Sequence, residues 1–178
     1  MNFEELKIDC SIRQKKGIHF IIASIIIWLI VLIIHLTSMP MMQKNLFTFC
    51  CTAILFPLAL LISRILKIDF QSKNNPLVKA GLIFSINQIL YLLIVMWVYS
   101  TVPDKMIMIF AMVFGAHLMP FSWLYDSKSY LVFSIIIPII SLIVGLFCKS
   151  YIVAAIMVVI EIVFSILLYL ENKKLTCK

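Results

Sequence analysis

GIHFIIASIIIWLIVLIIHL, residues Gly17–Leu36, is twenty residues without one Asp, Glu, Lys or Arg. A helix needs roughly 20 apolar residues to cross a hydrocarbon layer about 30 Å thick, and this stretch supplies them. Its apolar character is nearly continuous. A barrel strand would instead alternate apolar and polar positions over about 10 residues. No water is available inside a bilayer to bond free backbone groups, and a helix satisfies those groups within its own segment. The stretch therefore reads as a membrane-spanning helix.

Five further runs repeat the pattern: Leu46–Leu66, Gly81–Ser100, Met106–Tyr125, Tyr130–Phe147 and Tyr151–Leu170. Together the six fill most of the 178 residues, of which 63% are hydrophobic and 13% charged. The chain predicts an all-α fold, a six-transmembrane-helix bundle in one domain over residues 1–178. The connections Thr37–Asn45, Lys67–Ala80, Thr101–Lys105, Asp126–Ser129 and Cys148–Ser150 are too short to fold as a soluble domain. An ATPase, kinase or receptor activity would have to come from a partner chain. The first run is longer than a signal-peptide apolar core, and Thr37–Pro40 has no small-x-small cleavage pattern, so it reads as a retained helix.

The net charge of +7 is distributed as a membrane protein requires rather than as a nucleic-acid patch. With six spans, both termini share a side with the second and fourth connections. That side holds twelve basic residues: Lys7, Arg13, Lys15, Lys16, Arg64, Lys67, Lys73, Lys79, Lys128, Lys173, Lys174 and Lys178. The other side holds three, Lys44, Lys105 and Lys149. The positive-inside rule then places both termini in the cytoplasm and the protein in the cell (inner) membrane. The basic face would meet anionic lipid headgroups, at roughly 1 kcal/mol per Lys or Arg. Trp123, Tyr125, Tyr130 and Tyr169 at the inner boundary, and Trp97, Tyr99 and Tyr151 at the outer one, fit interfacial aromatic belts.

Several local signals refine this layout. Asn2 and Glu5 form a capping-box pattern, with Phe3, Leu6 and Cys10 at helical spacing behind it, which predicts a short helix on the membrane surface. Pro57, Pro120 and Pro138 lie within spans and predict kinks. Ser134, Pro138, Ser141 and Gly145 share one face of the fifth run. Thr52, Ala59 and Ser63 share one face of the second, and Ala111 and Gly115 one face of the fourth; such small-residue stripes let helices approach closely. The five cysteines show no zinc spacing. They read as small apolar residues, with a Cys148 bridge to Cys50 or Cys51 as the alternative.

Function has fewer signals. Glu161 is the one acidic residue deep in a span, about 15 Å from the outer boundary at 1.5 Å per residue. His117 lies about 16 Å down, and Asn87 and Gln88 about 18–20 Å down, with Tyr91 nearby. Ionisable groups at such depth turn inward and mark pathways or relays. The expected site is therefore a polar layer of Glu161, His117, Asn87, Gln88 and Tyr91, with His117 and Glu161 paired directly or through one water. Such a layer can bind a small solute or ion or couple to protons; otherwise it is a network that orders the helices. His19 and His35 fall at span ends and read as interface residues. HExxH, GxSxG and a glycine-rich phosphate loop are absent, so no catalytic residue, metal or cofactor is expected.

The stretch His117–Tyr130, HLMPFSWLYDSKSY, together with the six-run layout and the short basic N-terminus, resembles an uncharacterised family of small bacterial integral membrane proteins, a domain of unknown function. The resemblance implies fold and location, not activity. The substrate-binding components of energy-coupling-factor vitamin transporters are also six-span chains of this size, but they carry an Ala-rich face on the first helix. Here that helix has only Ala23 and Ser24 among bulky residues. The leading expectation is a transporter-like protein or permease subunit with possible partner membrane subunits. The alternative is a non-catalytic interaction or sensor protein whose polar layer is structural.

Overall fold

Asn2 opens the first helix, α1 (Phe3–Arg13), through the expected capping box: the Glu5 N–H donates to Asn2 Oδ1 and the Asn2 N–H to Glu5 Oε2, each at 2.9 Å. The computed structural model describes residues 2–69 and 75–176. Lys73, Cys177 and Lys178 lie outside them. Cys10 and Ser11 are buried, and Ser11 donates to the Tyr125 carbonyl at 3.1 Å. Burial pushes the Cys10 thiol up to about 11, so it stays a protonated, small apolar group.

Asp9 ties α1 to the start of α5 (Leu77–Thr101). It accepts from Arg13 at 2.6 Å and from Asn75 at 2.9 Å, while Asn75 also donates to the Leu6 carbonyl. The Arg13 and Asn75 hydrogen bonds hold the Asp9 carboxyl below its ordinary value. A depressed pKa means the tie is fully present above the ordinary carboxylate range and is lost as pH falls through the folded value. Acidification is therefore expected to lower the hydrogen-exchange protection of α1 amides in the native chain. In Asp9→Asn protection should already be low and pH-independent. The effect is small, because Arg13 is largely exposed and solvent screens the pair.

A left-handed turn joins α1 to α2 (Ile18–Leu36). Lys15, Lys16 and Gly17 have φ of 45°, 50° and 68°. Left-handed geometry costs an L-residue roughly 1–2 kcal/mol, so two lysines hold it only because their surroundings fix them. Tyr130 donates to the Lys16 carbonyl, Asn172 to the Lys15 carbonyl, and Tyr125 to Gln14. Gly17 is required: a Cβ there would lie 3.1 Å from the Tyr130 hydroxyl at a φ that side chains avoid. Buried Lys16 reaches Glu171 at 2.8 Å and the Asp126 carbonyl at 3.1 Å. Both ends of the chain thus meet at one end of the bundle, here called basal.

The second run is a broken helix. α3 (Met41–Thr52) and α4 (Leu55–Ile65) meet at 42°. The physical cause is Pro57, which has no N–H for the Ala53 carbonyl and whose ring crowds the preceding turn. The pair still traverses the bundle. Asn45 donates to the Pro103 carbonyl at the distal end, and the Leu66 carbonyl accepts from Lys15 at the basal end. Pro120 marks a milder break, one residue long at Leu118, between α6 (Met106–His117) and α7 (Met119–Leu124), which still run as one 22-residue segment, Pro103–Leu124. Pro138 does not do this. α8 (Lys128–Phe147) runs through it unbroken. α9 (Ser150–Thr176) continues past the expected Leu170 boundary and so carries Glu171 to Lys16.

Five segments, Lys15–Leu36, Leu77–Thr101, Pro103–Leu124, Lys128–Phe147 and Ser150–Leu175, are long and apolar enough to cross a membrane. The bent α3–α4 pair makes six if it counts as one span. α2 packs against α9, and α6 against α8, as the most extensive helix pairs. The small-residue stripes lie in these contacts: Ala111, Gly115, Ser134, Ser141 and Gly145 are buried. Trp28 links α2 to α6 through Phe110 and Phe114 at 5.2 and 6.2 Å between ring centres. Trp97, Trp123 and Tyr169 are exposed, as belt residues should be. Tyr125 and Tyr130 are not belt residues. They are buried in the basal tie, where their hydroxyls find fixed acceptors. The four cysteines within the described residues, Cys10, Cys50, Cys51 and Cys148, are free thiols, so no bridge joins Cys148 to Cys50 or Cys51.

Candidate functional site

α4 lies on α2, whereas α5 lies on α6 and α7. Between α4 and α5 a cleft enters from the basal end. Its outer chamber, about 500 Å³, is bordered by Gln14, Asn75, Lys79, Phe56, Phe121 and Tyr125. A small inner chamber of about 50 Å³ meets Ser85, Gln88 and His117. A third, of about 210 Å³, reaches Ser24, Trp28, Thr52, Ser85 and Gln88 at mid-depth. Ser85 and Gln88 border both inner chambers, so the cleft is one continuous feature with an apolar wall and a few polar groups. That is the usual make-up of a small-molecule site.

Both helix breaks lie on this cleft. Thr52, Ala53 and Leu55, at the α3–α4 bend, border the mid-depth chamber. His117 and Leu118, at the α6–α7 break, border the small one. Irregular backbone at membrane depth is tolerated where it lines a cavity rather than lipid. His117 Nδ1 lies 2.6 Å from the Phe114 carbonyl. A carbonyl can only accept, so Nδ1 carries a hydrogen there and Nε2 is left free of that bond beside the cavity.

The expected polar layer is only partly assembled. Gln88 and His117 share the cleft. Asn87 does not join them: its Nδ2 donates to the Tyr91 hydroxyl at 2.9 Å, one turn along the same helix and on the exposed side of α5. Glu161 turns inward as expected and is 0% exposed. Its partner is not His117, however. Glu161 Oε2 lies 2.6 Å from Ser24 Oγ across the α2–α9 contact, and no hydrogen bond joins it to His117, Gln88 or Tyr91 among the described residues. Equal depth placed the two groups in one layer, but their azimuths send His117 to the cleft and Glu161 to the far side of α2. Glu161 Oε1 has no hydrogen-bond partner in the described residues. An unsatisfied buried acceptor costs about 1–3 kcal/mol.

His19 and His35 are interior rather than interfacial, at 1% and 4% exposure. His35 Nε2 lies 3.3 Å from Thr48 Oγ1 near the distal end. The residues that sequence reasoning missed as site members are Ser24 and the basal group Gln14, Asn75 and Lys79. A signal for Ser24 was present. Counted from the basal boundary at Gly17 and Leu170, Ser24 and Glu161 lie about 10 and 14 Å deep, within one helical turn of each other though a looser match than that between Glu161 and His117.

Among the described residues, an all-helical bundle with five segments, or six with the bent pair, long and apolar enough to cross a membrane has the make-up of a polytopic membrane protein. The chain belongs to a family of unknown function, DUF7010, whose model matches residues 3–171. No curated protein matches it, and no solved structure does.

Proposed function

We propose that the protein is transporter-like, a carrier or permease subunit of the bacterial cell membrane, with the basal end in the cytoplasm. The observation that carries this reading is the position of both helix breaks on a single cleft. Carriers bind at mid-depth between discontinuous helices, where unwound backbone and a few polar side chains replace the solute's water. The cleft suits a small, largely apolar solute with one polar end. Its apolar body would lie along Phe20, Phe56 and Phe121, and its polar end would meet Ser85, Gln88 and His117 Nε2. Anionic lipids would sit against the basal lysines.

Flux of a panel of small amphipathic solutes into vesicles, with and without a pH gradient, tests this. Gln88→Leu and His117→Phe should each cut flux of the accepted solute by about tenfold, the equivalent of roughly 1.4 kcal/mol of lost hydrogen bonding. The thermal melting of both variants should stay near that of the native protein. Flux that is absent for every solute, or as fast in both variants as in the native protein, overturns the reading.

One observation favours the second reading, an interaction protein. The Asn87–Tyr91 pair lies on the exposed side of α5, and polar pairs facing lipid join membrane helices to partners. A partner subunit docked on α5 would account for it, and the carrier reading accommodates such a subunit.

A further inference from the structure

Ser24 holds two full-strength contacts with one proton. Its Oγ is 2.6 Å from Glu161 Oε2 and 2.7 Å from the Ile21 carbonyl. Both distances are those of complete O–H···O bonds rather than of a shared one. A serine hydroxyl has a single hydrogen to donate and two lone pairs to accept with. The Ile21 carbonyl can only accept, so the Ser24 hydrogen is spent on it. The second contact then needs a hydrogen from the other side, and the only atom that can bring one is Glu161 Oε2.

A carboxylate in this position would face Ser24 Oγ lone pair to lone pair. Its Oε1, already without a partner among the described residues, would also hold part of a charge in an apolar surrounding. Ser24 also borders the mid-depth chamber of the cleft, whereas Glu161 itself does not. The serine is thus the wall between the buried acid and the cavity.

We propose that Glu161 is a proton-binding site, which carries its proton on Oε2 and exchanges it with the mid-depth chamber through the Ser24 hydroxyl. In the protonated state Glu161 Oε2–H donates to Ser24 Oγ, and Ser24 donates to the Ile21 carbonyl. On release, Ser24 turns its hydrogen from Ile21 toward the chamber. It passes that hydrogen to a water or a basic solute group there and takes the Glu161 proton in exchange. Ser24 ends neutral and donates to a Glu161 carboxylate. One proton leaves the acid, which becomes a carboxylate, and one enters the chamber, where the accepting water or base takes up the positive charge.

Titratable and charged groups on the elements packed against α9 include His19 and, toward the distal end, His35 on α2, Lys128 and Tyr130 on α8, and His117 on α6. Toward the base lie Lys16, Glu171, and Asp9, Cys10 and Arg13 of α1. None of them is hydrogen-bonded to Glu161 in the contacts described above. The proposal deepens the carrier reading by naming the proton as the coupling ion, but its test uses no solute, so each can fail without the other.

Infrared spectroscopy of the full chain in lipid nanodiscs tests it, with protons and deuterons as the only probes. The native protein should show the C=O band of a protonated carboxyl at neutral pH, absent in Glu161→Gln. Ser24→Ala should move that band to higher frequency, because the acid loses its acceptor. It should also slow the shift that follows transfer to heavy water by about tenfold or more, the effect of losing one hydrogen-bonded relay member. Ser24→Thr, which keeps the hydroxyl, should restore both. If Glu161→Gln folds poorly, Glu161→Asp serves in its place, with a shifted band. A neutral-pH spectrum without the band overturns the proposal. So does a band insensitive to Ser24→Ala, or one that disappears on adding sodium at constant pH.

Discussion

Replacing Glu171 by Ala is expected to lower the unfolding free energy by about 3–5 kcal/mol, the usual consequence of removing one partner of a buried ion pair. Lys16 and Glu171 lie 2.8 Å apart with side chains only 6% and 22% exposed. Glu171 does more than balance a charge. Its Oε1 accepts from the Ser129 N–H and hydroxyl, and its Oε2 accepts from the Ser127 hydroxyl. The Ala variant therefore strands one ammonium and three neutral donors at once. It also removes one of the contacts that hold Lys16 in left-handed backbone, leaving those to Tyr130 and the Asp126 carbonyl, so the α1–α2 turn should loosen with it. Removing both charges is less harmful than removing one. Lys16→Met with Glu171→Gln keeps an acceptor for Ser129 and discards the charges. It should recover most of the loss. Denaturation by sodium dodecyl sulfate from mixed micelles, followed by helical circular dichroism, measures all three proteins. A Glu171→Ala protein as stable as the native one would show that the pair is solvated and contributes nothing.

Gly115→Ala should destabilise by about 1–3 kcal/mol, as overpacking does, although alanine is the better helix former by about 1 kcal/mol. The sign of the change is therefore diagnostic. A Cβ on Gly115 would lie 2.6 Å from both Ile137 Cγ2 and Pro138 Cδ. Both are rigid: one belongs to a β-branched side chain and the other to a ring within α8, so neither can yield without parting α6 from α8. Gly145 faces Met108 more closely still: a Cβ there would run into Met108 Cγ and lie 2.5 Å from Met108 Cβ, which is fixed to its backbone, so the loss at Gly145→Ala should be at least as large. Gly81→Ala should be neutral or stabilising, since its new methyl would meet only Leu124 Cδ2 at 3.2 Å. The same detergent titration should show large losses at Gly115 and Gly145 and none at Gly81. A stabilised Gly115→Ala would refute the close approach of α6 and α8.

The proline positions show how far local rules carry and where they stop. Pro57 and Pro120 break their helices as the missing N–H requires, and both breaks came to lie on the cleft. Pro138 obeys the same chemistry, yet α8 stays whole. Its ring sits against the backbone of Gly115, a contact between elements that hydropathy cannot reveal. Tyr125 and Tyr130 make the same point. Their place near a predicted boundary suggested a lipid interface, but the left-handed turn at Lys15–Gly17 offered their hydroxyls fixed acceptors and drew them inside.

What the amino-acid sequence alone determined is what depends on one segment at a time. Long apolar runs meet the length of a bilayer, and Asn2 and Glu5 close their own capping box. Depth is also local, because rise per residue is constant, so Glu161 could be placed near mid-membrane and turned inward. Azimuth is different. Which side of which neighbour a residue meets follows from how small-residue faces interlock across the whole bundle. Only the tertiary structure could therefore give Glu161 to Ser24, send His117 and Gln88 to the cleft, and leave Asn87 with Tyr91 outside.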